Sequence, residues 1–148
     1  IYAIFDPGQS LPAWNGPDLT LAIGRCKMLV SNDYELGMIT NTTGLDVAQL
    51  LCIVDTIVTT KGEQGCEIVS PQGVVRVPVV PTENAIDPTG AGDAFRGGLI
   101  KGLTDGKPIK RCVEMGTVAA HYAVQVSGTQ NYTFTPAEFD ATLEGWFG

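Results

Sequence analysis

Asp87-Pro88-Thr89-Gly90-Ala91-Gly92-Asp93-Ala94-Phe95 is the stretch on which the reading of this sequence turns. Two glycines and an alanine precede a run with helical periodicity, so a tight turn feeding a helix over residues 91–103 is predicted. Small residues let the backbone N–H groups of Gly90, Ala91 and Gly92 approach an anion closely. A helix N-terminus adds unpaired donors and a partial positive charge. Together they make a phosphate or oxyanion site. Asp93 falls in the first turn of the same helix, where a carboxylate can accept a proton from an attacking hydroxyl. Other phosphate-binding patterns fail on spacing. A GxGxxG turn would need glycine at position 95, which is Phe95, and no Gly-Lys-Ser/Thr occurs. Taken alone, Gly-Ala-Gly-Asp also fits an ordinary tight turn whose aspartate is placed by the helix dipole.

Upstream of this turn, short apolar runs alternate with helical signals. Residues 1–5 read as a buried strand that stops at Asp6-Pro7-Gly8. Asn15-Gly16-Pro17 reads as a helix start, with Leu19, Leu21, Ala22 and Ile23 as its apolar face. Residues 27–30 read as the next strand, ending at a Ser31-Asn32-Asp33 cap. Short helices are expected over 34–39 and over 45–53, the second capped by Asp46. The β-branched run Thr56-Ile57-Val58-Thr59-Thr60 predicts a buried strand. Residues 61–65 form a turn, and residues 66–69 and 74–80 flank Pro71-Gln72-Gly73 as a hairpin.

Downstream, a helix is expected over residues 108–126, burying Ile109, Cys112, Val113, Thr117, Ala120 and Val124. A last helix begins at Thr135, with Glu138 completing a capping box. Strands alternating with helices predict an α/β fold with a mostly parallel sheet flanked by helices. No linker or repeat interrupts the chain, so residues 1–148 read as a single domain, and a partial one, because the abrupt apolar start suggests a piece of something longer.

Composition excludes several classes. A charge of −7 without any basic run argues against nucleic acid and against an anionic membrane surface as partners. No segment approaches the roughly 18 apolar residues of a membrane span, and no signal peptide is visible. Cys26, Cys52, Cys66 and Cys112 form no CxxC pair, so they read as buried thiols in a reducing cytoplasm. The lone His121 reads as structural.

The nine residues 87–95 resemble the C-terminal signature of the PfkB (ribokinase-like) kinases: Asp, two small or Pro residues, Gly-Ala-Gly-Asp, one residue, then Phe. The resemblance extends from Asp6 to about Phe139 and covers the C-terminal, ATP-binding half of such a kinase. It implies an ATP-dependent phosphotransferase moving the γ-phosphoryl of ATP to a hydroxyl of a nucleoside or sugar. By matching position, Asp93 is the base, and Gly90, Ala91 and Gly92 form the anion hole. Asp87 helps hold a monovalent cation, usually K+, with carbonyls of Ala123 and Gly128. Asn32-Asp33-Tyr34-Glu35 resembles the family's Asn-x-x-Glu element, in which Glu35 holds Mg2+ through water. Residues 59–65 resemble its Thr-x-Gly-x-x-Gly turn, in which Thr60 and Gly62 lie along the nucleotide, with Gly128 in the loop that covers it. Lys61 reads equally as a phosphate contact and as a solvated turn lysine. Phe5-Asp6-Pro7-Gly8-Gln9 and Gly128-Thr129-Gln130-Asn131 look most like bacterial adenosine-kinase-like members, so adenosine is the favoured acceptor. Ribose or another sugar stays open, as does a nucleotide-binding fragment that needs a missing N-terminal half. The resemblance also admits a homodimer of the full-length protein.

Overall fold

Apolar and β-branched runs form the strands, and side-chain caps start most of the α-helices. In the computed structural model, which describes residues 2–148, the first strand β1 spans Ile4–Phe5. The expected strand also took in Ile1, which lies outside the described residues. A 3-10 helix, Gly8–Ala13, follows the Asp6-Pro7-Gly8 turn. Helix α1 (Gly16–Ile23) is capped by the Asn15 side chain, which accepts from the Asp18 amide at 2.9 Å. Strand β2 (Met28–Asn32) leads into α2 (Asp33–Thr43). Asp46 caps the single turn α3 (Val47–Leu50), and β3 (Thr56–Thr60), β4 (Cys66–Ser70) and β5 (Gly73–Val77) complete the sheet.

The strand order is β1-β2-β3-β4-β5. β1, β2 and β3 run parallel, and β4 pairs antiparallel with β3. The chain divides into two compact units, residues 1–76 and 77–148. In the first, Leu11, Leu19, Ile23, Leu29, Ile39, Leu50, Val54 and Ile57 make a shared core. At about 25 cal/mol per Å2 of apolar area, each such side chain contributes roughly 1.5–3 kcal/mol by leaving water.

The second unit holds α4 (Ala91–Thr104), α5 (Ile109–Ala123) and α6 (Pro136–Phe147). α4 and α5 pack backbone to backbone. A Cβ on Gly98 would stand 2.4 Å from the Met115 carbonyl oxygen, and one on Gly116 would stand 2.8 Å from that of Phe95. Gly102 meets the Cys112 Cα in the same way, at 2.8 Å. α6 docks through Leu143 against Val80, Met115 and Val118. Its start carries the expected capping box, with Thr135 Oγ accepting from the Glu138 amide at 3.2 Å.

Several expectations are corrected. Leu21 is exposed, because Leu19 and Ile23 lie four apart on one face of α1 and Leu21 points away. α2 continues to Thr43, where Gly44 in the left-handed region (φ 73°) stops it. α3 is shorter than residues 45–53, its last turn closing as Cys52 and Ile53 bond back to Gln49 and Leu50. The second hairpin strand ends at Val77 and does not reach residue 80. α5 ends at Ala123 and is buried on nearly every side from Cys112 to Ala119, while Ile109, Ala120 and Val124 are only half-buried. Only Cys66 and Cys112 are buried thiols; Cys26 is half-buried and Cys52 exposed.

Candidate functional site

In the first unit, the C-terminal ends of β2 and β3 bring Asn32 beside Thr60, which are register partners across the parallel pair. Open parallel sheets bind ligands at this edge. Asn32 caps α2: its side-chain oxygen accepts from the Glu35 amide at 2.7 Å, and Glu35 Oε2 accepts from the Asn32 amide at 2.8 Å. The box fixes Glu35 at the strand end through one carboxylate oxygen. Gly62 opens a 3-10 turn just past Thr60, in a left-handed conformation (φ 54°). Lys61, read two ways from sequence, is ion-paired: its Nζ donates to Glu67 Oε2 at 2.8 Å. Arg76 donates to the other oxygen of Glu67 at 3.1 Å. Lys61 and then Arg76 hold the Glu67 carboxyl below the ordinary carboxylate range.

In the second unit, Gly90 is the N-cap of α4, with φ 83° and ψ −6°. Ala91, Gly92 and Asp93 are therefore the first three helical residues. The Ala91 amide donates to the Pro88 carbonyl at 3.1 Å, and the Gly90 carbonyl accepts from Ala94 at 2.9 Å. The amides of Gly92 and Asp93 have no carbonyl four residues back within the helix, so they form the donor-rich end. Asp93 is 82% exposed and accepts from Arg96 Nη1 at 3.3 Å. Arg96 was not singled out from the sequence; its position three residues after Asp93 on a predicted helix was the available signal.

The loop after α5 closes over this turn. A Cβ on Gly90 would stand 2.7 Å from the Thr129 carbonyl oxygen. Asp87 clasps the two segments: Oδ1 accepts from the Thr89 amide at 2.9 Å, and Oδ2 accepts from the Gly128 amide at 3.0 Å. The amides of Ile86 and Asp87 both donate to Val124, next to Ala123, at 2.7 and 3.2 Å. Asp87, Gly128 and the C-terminal end of α5 at Ala123 thus converge. The loop is anchored by packing as well, for Phe134 stacks among Tyr122, Tyr132 and Phe139. His121 Nδ1 lies 3.3 Å from the Val80 carbonyl oxygen.

The clasp has a pH signature. The Thr89 hydroxyl, then the Gly128 and Thr89 amides, hold the Asp87 carboxyl below its ordinary value. Thr135 does the same for Glu138. A depressed folded-state pKa stabilises above the unfolded value, near about 4, and that stability is lost as pH falls through the folded value. The urea midpoint is therefore expected to be flat between about pH 7 and 5 and to fall below about pH 4. Asp87→Asn, whose amide nitrogen would face a backbone donor, is expected to lower the midpoint at neutral pH and flatten its acid decline. An Asp87→Asn curve parallel to the parent's at every pH would remove Asp87 from this account.

Comparison with known proteins places these observations. The pfkB family carbohydrate kinase model matches residues 2–136. A nucleoside kinase of Methanocaldococcus jannaschii is 31% identical over 126 residues, covering 85% of this chain and 42% of the relative. The crystal structure of a nucleoside kinase from the same organism, described as an archaeal member of the ribokinase family, superposes with a TM-score of 0.92 at 29% identity, covering 97% of this chain and 48% of that one. A Burkholderia thailandensis nucleoside kinase in complex with inosine superposes with a TM-score of 0.96 at 36% identity, covering 100% of this chain and 49% of that one. The same enzyme has been solved in complex with ADP-inosine. The chain thus spans about half the length of the relatives it matches. Among the described residues, no helix is long and apolar enough to cross a membrane.

Proposed function

This chain belongs to the pfkB family of carbohydrate kinases, with a ribokinase-like α/β fold, and from that premise we propose that the protein carrying it moves the γ-phosphoryl of ATP to a hydroxyl of a nucleoside. The observation that carries the proposal is the Gly90–Asp93 turn. A left-handed glycine delivers the donor-rich end of α4, and a solvent-facing carboxylate stands in its first turn. Phosphoryl transfer requires little covalent work from a protein, and positioning and charge stabilisation dominate. In this reading Asp93 takes the proton of the acceptor hydroxyl. The amides of Gly92 and Asp93, with that of Gly90 beside them, face the charge that develops on the phosphoryl group, whereas the expected part of the Ala91 amide is not available because it already donates to the Pro88 carbonyl.

Asn32, Glu35, Thr60 and Gly62 are the proposed nucleotide-side residues of the first unit. No cluster of three His, Cys, Asp or Glu side chains exists among the described residues. Mg2+ at phosphate-transfer sites is held by one or two carboxylates, water and substrate phosphates. Glu35 fits that role, since one carboxylate oxygen serves the capping box and the other is not committed to it. Mg2+ would neutralise phosphate charge. The carboxylate of Asp87 and the carbonyls of Ala123 and Gly128 are hard oxygen donors that fit a monovalent cation such as K+.

The nucleoside-kinase relatives support a nucleoside over a free sugar, and adenosine is the first acceptor to try. Coverage of about half of each relative supports a second reading, a nucleotide-binding part that needs a complementary half for turnover. The four free thiols fit a reducing cytoplasm. The test is ADP release with Mg2+ and K+ across adenosine, inosine, cytidine and ribose, for the 148-residue chain and for the full-length protein carrying it. Transfer to a nucleoside is expected in the full-length form. Transfer only to ribose would replace the acceptor, and ATP binding without transfer in either form would reduce the protein to a nucleotide-binding module.

A further inference from the structure

We infer that Arg96 is a positioning residue for Asp93, fixing its carboxylate at the donor-rich end of α4 and adding positive charge beside the transferred phosphoryl group. The inference rests on the proposed role of Asp93 as base. Residues three apart on a helix share a face, and here Arg96 Nη1 donates to Asp93 Oδ1 at 3.3 Å. A Cβ on Gly92 would meet the same nitrogen at 3.0 Å, so the guanidinium folds back over the first turn and does not extend into solvent. Its side chain is 32% exposed against 82% for Asp93.

Two features separate this pair from an ordinary surface ion pair. The helix dipole disfavours a cation at the N-terminal end, so the arrangement works against the field of its own helix. The field that disfavours the cation is the one that attracts a phosphoryl anion, and a guanidinium here strengthens it. The bond is also one-sided. It occupies Asp93 Oδ1 and leaves Oδ2 for the acceptor hydroxyl. The glycine at position 92 leaves room for this pair, because a Cβ there would press on the guanidinium at 3.0 Å.

The test uses the full-length protein carrying this sequence, with Arg96→Gln, Arg96→Lys, Asp93→Asn and the Asp93→Asn/Arg96→Gln double variant. Steady-state transfer to a nucleoside is measured together with the melt of each variant. Arg96→Gln is expected to lower kcat by about 10–100-fold with the nucleoside KM within about twofold. Arg96→Lys should recover part of that loss. In the double variant the two losses should fail to multiply, since Arg96 acts largely through Asp93. An unchanged kcat in Arg96→Gln overturns the inference, as does a change confined to KM or a fully multiplicative double variant. These outcomes all presuppose an active parent. A parent inactive on every acceptor sinks the kinase reading itself and this inference with it.

Discussion

Asp93→Asn lowers phosphoryl transfer about a thousandfold while leaving ATP binding and the fold in place; that is the expected result if Asp93 is the base. Asn keeps the size and shape of the side chain and an oxygen that can still accept from Arg96 Nη1. It loses the charge and the proton affinity. Because Asp93 is 82% exposed, no buried group is left without a partner, and the melting temperature should stay within about 2 °C. The amides of Gly92 and Asp93 are untouched, so ATP should bind at least as well, one negative charge having left the phosphate site. Single-turnover transfer, ATP titration and a thermal melt on the same preparation separate the outcomes. Full turnover in Asp93→Asn would move the base elsewhere. Loss of turnover, binding and melting temperature together would make Asp93 a structural residue.

What the sequence made legible was mostly local. The caps at Asn15, Asn32, Asp46 and Thr135 are short-range hydrogen bonds between a side chain and an amide three residues on, so residue type and spacing reveal them. The run Thr56–Thr60 is a strand because β-branched side chains suit a buried pleat. The stretch 87–95 led to the family because turn glycine, helix start and carboxylate lie next to each other in the chain. What stayed hidden was non-local. Lys61 pairs with Glu67 because antiparallel β4 folds back along β3, a register that no property of Lys61 announces. The four-residue spacing of Gly98 and Gly102 could have signalled close helix approach. Its partner, Gly116, lies on another helix, so α5 was read as one-sided when its middle is enclosed. The clasp by Asp87 joins residues 41 positions apart, and only the folded chain shows that both its oxygens accept backbone bonds.

Gly90→Ala is expected to be the most damaging single-atom addition to the site. An L-residue in the left-handed region costs roughly 1–2 kcal/mol before any contact is considered. The new Cβ would stand 2.7 Å from the Thr129 carbonyl oxygen and 2.8 Å from its Cα, and both are backbone atoms that cannot swing aside. Relief requires the loop carrying Thr129 to lift, and that pulls on the Gly128 amide that donates to Asp87 at 3.0 Å. The combined penalty is about 2–4 kcal/mol, which corresponds to a fall of roughly 4–16 °C in melting temperature for a chain of this size. ATP affinity should fall with it, because the turn that aims the α4 amides is the part being distorted. Gly97→Ala supplies the contrast. Gly97 lies on the same helix with nothing within 4 Å of an added Cβ, so alanine there should stabilise by about 0.5–1 kcal/mol. Opposite signs at two glycines seven residues apart would show that position 90 is held by conformation and contact, whereas helix propensity alone would move both the same way. A Gly90→Ala protein that melts and binds ATP like its parent would mean that the Thr129 segment yields easily, and the tight turn would then lose its place in the proposed mechanism.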